Sequence, residues 1–478
     1  MSKVSRNIFT LIGSRVLAAI LVFIGYASLF RYLGTYISGQ HQFVLSFVML
    51  FSVVVDFGIQ QLVIKKVSED NSLAKKYLGN FFAVEFVLAL MLWAIMIAIA
   101  FSVGYEPGVR NAIILAGFGM FLNAITIPHT SILSAHQDME VIAGVNFLDS
   151  AVNVGVMFAA ILTHHYVVFL VLVQVFNGLI HILIYNRLIK KYVPKPELLS
   201  HLRNLDLDLV KKMFVAALPF GALVGFSIIY NKIDIIIIRE MRGYAETGLY
   251  AAAYKFVDFL AFLPAVVSSA LYPYYSSEIK AGNLEAVKNS LQNYTRLMLA
   301  VAVPISVGGF ILAKKLIVVV GGVQFVNGYV ALQILVFASG ILFTYAAVNS
   351  LMVNQLTRLA VKITFVNIFI NIIGNLIFVP IFGFKAAAAM TVVSELTQAS
   401  FYFYFVQTRI TKFNIFRYML QPLVAAAIMS AVLWPLKERN LFMTLPLGII
   451  TYAVAILAVG FFKKSDLLAI KRLARRTV

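Results

Sequence analysis

Apolar runs of twenty or more residues return along this chain at nearly even spacing, separated by short stretches that carry most of the charge. About 20 mostly apolar residues let a helix cross about 30 Å of hydrocarbon, so each run is a candidate membrane span. The runs lie near 8–30, 41–64, 79–102, 110–134, 141–163 and 166–186, then near 212–238, 248–272, 295–317, 328–352, 360–380, 385–406, 415–436 and 442–462. This predicts an all-α polytopic membrane protein of fourteen helices. A membrane β-barrel would show alternating segments of roughly ten residues instead. Composition agrees: only 12% of the 478 residues are charged, against about 25% in soluble domains. A net charge of +19 would suit nucleic acid if it lay on one face, but here the cations are dispersed among the loops. The absence of cysteine excludes a disulfide scaffold.

The first run contains Arg15 and lacks a small-residue cleavage site, so it reads as a span and not a signal peptide. If the N-terminus is cytoplasmic, loop cations facing inward outnumber those facing outward by about threefold, as the positive-inside rule requires. Both termini are then expected in the cytoplasm.

The one long hydrophilic connection, Arg187 to Lys212, holds Pro194, Pro196 and an amphipathic stretch from Leu198 to Val210. It joins two sets of six spans that echo each other. Gly34-Thr35-Tyr36-Ile37-Ser38-Gly39 follows the first span, and Gly243-Tyr244-Ala245-Glu246-Thr247-Gly248 follows the seventh. Val145-Asn146 opens the fifth span, and Val366-Asn367 opens the eleventh. The expected organisation is an N-lobe of helices 1–6 (1–190), a cytoplasmic linker (191–211) and a C-lobe of helices 7–12 (212–406). Helices 13–14 (407–462) and a basic cytoplasmic tail (463–478) follow. Repeats with an even number of spans share one topology, so their pseudo-twofold axis lies along the membrane normal.

The run Gly248-Leu249-Tyr250-Ala251-Ala252-Ala253-Tyr254-Lys255, with Phe262-Leu263-Pro264 and Ala270-Leu271-Tyr272-Pro273 after it, resembles the eighth helix of polysaccharide flippases. Asn367, Asn371, Asn375, Val379-Pro380, Phe382-Gly383-Phe384 and Ala386 to Ala389 extend the resemblance. Where the family usually has Gly-Ala-Ala, this chain has Ala386-Ala387-Ala388. The chain is thus similar to O-antigen and repeat-unit flippases (Wzx-type) of the multidrug/oligosaccharidyl-lipid/polysaccharide (MOP) exporter superfamily. The resemblance implies the MOP fold, the inner (plasma) membrane, and movement of polyprenyl-pyrophosphate-linked oligosaccharides to the outer leaflet by alternating access. It implies no enzymatic activity and no cofactor, with a polysaccharide polymerase and chain-length machinery as candidate partners.

Ionisable residues inside spans cost about 2.5–3.5 kcal/mol or more at a helix centre, so they normally face a wet cavity or a partner. Here they are Arg15, Asp56, Glu85, Asp149, Lys232, Asp234, Lys255 and Asp258. Arg15, Lys232 and Lys255 could bind a pyrophosphate in succession, guanidinium by a bidentate fork and lysine as a point charge. Alternatively, Lys255 pairs with Asp234 or with Asp258, three residues on. Asp56, Asp149, Asp234 and Asp258 are candidates for proton or sodium coupling and equally for structural ion pairs. Glu85, near a span end, reads as a residue snorkelling to the interface. Two polar stripes occupy single helix faces: Asn146, Asp149 and Asn153 in the fifth span, and Asn367, Asn371 and Asn375 in the eleventh. They could line a glycan cavity or bond helix to helix.

There is no P-loop, no nucleophile elbow and no zincin motif, and no metal site is expected. Two alternatives stand beside a flippase. A MATE-type multidrug cation/H+ or Na+ antiporter would carry an acid in the first span, where this chain has Arg15. A membrane-embedded glycan polymerase or glycosyltransferase would need a large outer loop or soluble domain, and no connection here exceeds the stretch from Arg187 to Lys212.

Overall fold

The computed structural model describes residues 3–163, 167–194 and 205–462, and these form an all-helical chain. The basic tail, the central part of the linker and the side chain of Arg15 lie outside the described residues. The helices are α1 (Lys3–Asp56), α2 (Ile59–Glu69), α3 (Ala74–Ser102), α4 (Pro107–Ala135), α5 (Met139–Thr163), α6 (Val167–Leu188) and α7 (Leu207–Arg242). There follow α8 (Tyr244–Lys280), α9 (Leu284–Gly321), α10 (Tyr329–Gln355), α11 (Thr357–Phe382), α12 (Phe384–Arg409), α13 (Leu420–Leu436) and α14 (Leu441–Ala458).

Among the described residues, 11 stretches are long and apolar enough to span a bilayer. The first, Ala19–Glu69, has 51 residues. At 1.5 Å per residue it would measure about 75 Å, more than twice the hydrocarbon thickness, so it holds two passes. The break between them is Gly34, at φ 75° and ψ 177° within α1, a conformation that costs little only without a Cβ. Helices α7, with 36 residues, and α12, with 26, are also long enough to cross a bilayer.

The described chain forms two compact units. One comprises the described residues within 1–251 and 364–387, the other those within 252–363 and 388–462. Within the first unit, α7 packs against α1, α2 and α3, contacts that sequence periodicity does not register.

In the first unit, α3, α4 and α6 pack in series. Gly119 and Gly178 admit Gln174 and Leu122 across the α4–α6 contact, and the Trp93 indole donates to the Ile114 carbonyl at 2.9 Å. One apolar cluster includes Phe43, Phe47, Ala89, Met96, Ile113 and Tyr105. Another gathers Ile59, Val63, Leu78, Phe81, Ile132 and Met213 around α2. Where the chain enters α7, Asp206 accepts from the Leu209 N–H at 2.9 Å and pairs with Lys76 at 2.8 Å. The Lys76 hydrogen bond holds this carboxyl below its ordinary range.

The second unit has its own cores. Tyr275, Leu291, Tyr345 and Tyr402 form one, with the Tyr294 hydroxyl donating to the Phe343 carbonyl at 2.8 Å. Leu312, Met429, Leu433 and Tyr452 form the other, between α9, α13 and α14. Large apolar side chains such as Leu183, Phe442 and Ile449 are exposed, as expected for surfaces solvated by lipid tails.

Candidate functional site

The two glycine turns that echo each other in sequence meet in space. Gly34 and Gly243 take nearly the same backbone conformation, with φ 75° and 85° and ψ 177° and 179°. Each starts a helix whose next glycine, Gly39 or Gly248, touches the other turn. A Cβ on Gly39 would lie 2.7 Å from the Tyr244 carbonyl carbon, and one on Gly248 2.8 Å from that of Thr35. The contact is reciprocal, as a local twofold between repeats requires.

Beside this crossing lies a cavity of about 600 Å3 lined by Tyr36, Glu106, Arg239, Arg242, Tyr244 and Glu246, among others. The Arg239 guanidinium sits over the rings of Tyr105 (4.4 Å), Tyr244 (4.8 Å) and Phe43 (5.0 Å) and pairs with Glu240 at 2.6 Å. Glu106 accepts from the Tyr36 hydroxyl at 2.5 Å and from the Gln40 amide at 2.8 Å. Glu246 accepts from Arg242 at 2.9 Å and from the Phe384 N–H at 3.0 Å. Aromatic faces among fixed acids and guanidiniums can hold polar, hydroxyl-rich groups. Charge and ring pattern alone did not single out these residues, because they come from four separate segments.

The asparagine stripe of α11 is buried along its length. The Asn375 amide donates to Asp234 Oδ1 at 2.7 Å and to Asn371 Oδ1 at 3.1 Å. The Tyr250 hydroxyl donates to Asp234 Oδ2 at 2.7 Å. Asp234 of α7 is thus bonded to both α8 and α11, and Asn367 lies one turn along the same buried face.

The α5 stripe behaves differently. Asn146 is exposed and its carbonyl accepts from Ser150 at 3.0 Å, while the Asn153 amide donates to the Asp149 carbonyl at 2.8 Å. The Asp149 carboxylate meets His181 Nε2 at 2.8 and 2.9 Å, and His181 Nδ1 lies 3.2 Å from Asn123 Oδ1. Both ring nitrogens face acceptors. Asn123 and Gln174 also border a cavity of about 400 Å3 between α1, α4 and α6. No helical spacing links His181 to Asp149 in the sequence, and a histidine inside an apolar run is its one signal there.

Among the remaining candidates, Lys255 Nζ lies 3.4 Å from Asp258, the lysine mostly buried and the acid largely open. Lys232 is half-buried on α7. Asp56 ends α1 and accepts from the Gln60 N–H at 3.0 Å, so its carboxylate caps α2. Glu85 corrects the expectation of an interfacial residue: it is 0% exposed.

Residues 4–278 match the family described as "Polysaccharide biosynthesis protein". No curated protein matches the chain. Among solved structures, the fold is similar to that of the lipid II flippase MurJ in an inward closed conformation, at TM-score 0.71 and 13% identity, covering 95% of this chain and 98% of that one. It is also similar to an inward-facing multidrug resistance MATE family transporter of the MOP superfamily, at TM-score 0.61 and 14% identity, covering 81% and 94%. At these identities the likeness establishes the fold alone, and with its long apolar helices it is that of a multi-pass membrane chain.

Proposed function

The chain belongs to the polysaccharide biosynthesis protein family, and on that premise we propose that it is a flippase for polyprenyl-pyrophosphate-linked oligosaccharide repeat units. It moves them from the inner to the outer leaflet by alternating access of its two six-helix repeats and catalyses no covalent step. The observation that carries this reading is the family match on a chain with basic residues inside its apolar spans, Arg15, Lys232 and Lys255. A pyrophosphate is the anion such cations suit, and a cationic drug would be repelled by them. Lys255 is mostly buried, 3.4 Å from the more exposed Asp258.

The cavity beside the glycine crossing supports the same reading, since Tyr36, Tyr244 and Arg242 present rings and hydrogen-bond donors to a departing glycan. Asp149 with His181 and the Asp234 cluster are the groups through which protons or sodium could couple to the cycle. In this reading both termini face the cytoplasm, the chain sits in the inner membrane, and a polymerase takes up the product.

Complementation tests the proposal. Arg15→Ala and Lys255→Ala proteins that insert normally should fail to restore surface polysaccharide in a flippase-deficient cell. Full restoration by both single variants and the double variant refutes the cationic relay. Accelerated efflux of cationic dyes with unchanged glycan export would replace the reading by drug transport.

A further inference from the structure

Glu85 stands apart from every other acid in the described chain. It is 0% exposed, and neither carboxyl oxygen has a hydrogen-bond partner. Its neighbours one turn away on the same helix face, Phe81 and Leu88, belong to the apolar cluster formed with Ile59, Leu62, Ile127 and Ile132. An ionised carboxylate is not held in such a place without a partner; it keeps its proton instead.

The elements packed against α3 are α1, α2, α4 and α7. Among the described residues, the charge that acts on Glu85 is that of Asp56, and this has the wrong sign to stabilise a second carboxylate. His129 of α4 lies on the side that faces α6, one turn and two turns beyond Thr126 and Leu122, the latter against Gly178. Lys65 and Lys66 are carried at the far end of α2, and Lys211 and Lys212 in the first turns of α7.

The wall over Glu85 contains a joint. Between α1 and α2, Phe57 (φ 42°) and Gly58 (φ 77°) are both in the left-handed region, an unusual state for a bulky aromatic residue. They interrupt the second pass beside Asp56, whose carboxylate starts α2 anew. A short helix of 11 residues capped by a side chain is a segment that can turn about those two residues while α3 stays in place.

We propose that Glu85 is a proton-binding site, neutral while α2 is packed over α3 and α4 and ionised when α2 turns about Phe57 and Gly58 to admit water. The site takes a proton and no metal. In a flippase of the kind proposed above, on which this consequence rests, the exchange lets a proton gradient drive the cycle.

The experiment uses the full-length protein and dicyclohexylcarbodiimide, an apolar reagent for protonated carboxyls in membranes. The carboxyl oxygen bonds to the central carbon of the carbodiimide as the acid proton passes to one of its nitrogens. The resulting O-acylisourea rearranges by an oxygen-to-nitrogen acyl shift to a stable N-acylurea, with no oxidant or leaving group required. Peptide mapping should find Glu85 modified and Asp56 unmodified, with labelling falling about tenfold per pH unit above its midpoint. Glu85→Gln should abolish that label and leave any lipid-linked glycan transport in proteoliposomes indifferent to an imposed pH gradient. Absence of label at Glu85 in the wild-type protein, or a label constant from pH 5 to 9, overturns the proposal whether or not the variant folds. So does a gradient response in Glu85→Gln equal to that of wild type. Normal pH-dependent labelling without glycan transport would instead refute the flippase reading and leave the proton site standing.

Discussion

Adding one methyl group at the crossing of the two glycine turns tests the repeat geometry. In a Gly39→Ala protein the new Cβ would stand 2.7 Å from the Tyr244 carbonyl carbon, and in Gly248→Ala 2.8 Å from that of Thr35. Carbon atoms in ordinary contact are about 3.5–4.0 Å apart, and the carbonyl oxygens of Tyr244 and Thr35 stand nearer the new Cβ atoms than their carbons do, so the two backbones must part by more than about 1 Å. No side chain can yield in their place, because the obstructing atoms are main chain. Overpacking costs about 1–3 kcal/mol, and the rigid obstruction places these sites toward the upper end. Alanine returns up to about 1 kcal/mol through helix propensity, leaving a net loss of about 2 kcal/mol for each variant. Gly144→Ala in α5, where a Cβ meets nothing within 4 Å, is the control and should be neutral or slightly stabilising. The double variant should cost less than the sum of the singles, since one separation relieves both clashes, with a coupling of about 0.5–3 kcal/mol. Denaturation of the purified protein in detergent measures all four. Wild-type stability in Gly39→Ala and Gly248→Ala, or strict additivity between them, would refute the reciprocal contact.

Removing Asn375 as a donor to Asp234 by Asn375→Ala should cost about 1–3 kcal/mol, read by the same denaturation; Tyr250→Phe should cost less, because it keeps the ring's packing. His181→Leu removes the partner of the Asp149 carboxylate and should destabilise the protein by a similar 1–3 kcal/mol, whereas Asn146→Ala, at an exposed position, should be within about 0.5 kcal/mol of wild type. The depressed Asp206 carboxyl contributes stability that is present above the ordinary aspartate range and lost as pH falls through its folded midpoint. Asp206→Asn should therefore melt below wild type at neutral pH and converge with it in strong acid; a difference that persists unchanged in acid would assign the effect to something other than charge.

The membrane class was legible because burial in hydrocarbon demands long apolar runs wherever the chain crosses. The glycine turns were legible for a related reason: two equal motifs at equal places in two repeats leave the same trace in composition. The candidate site was legible only in part. That Asn367, Asn371 and Asn375 share a face follows from helical spacing, but their bonding to Asp234 depends on which helix lies opposite. Asp149 was visible as a charge in a span, while its partner His181 lies 32 residues on and had no pattern to announce it. Glu85 was misjudged for the same cause, since distance from a span's end measures depth along one helix and ignores what its neighbours cover.

The sequence by itself determined the solvent of this protein, the number of its crossings and the sites of its sharpest turns, because each is imposed residue by residue by hydration and backbone sterics. Only the tertiary structure decided which of its buried charges are paired, which cap a helix and which stands alone. Those outcomes depend on the side chains that other helices bring alongside, and one helix's periodicity carries no record of them.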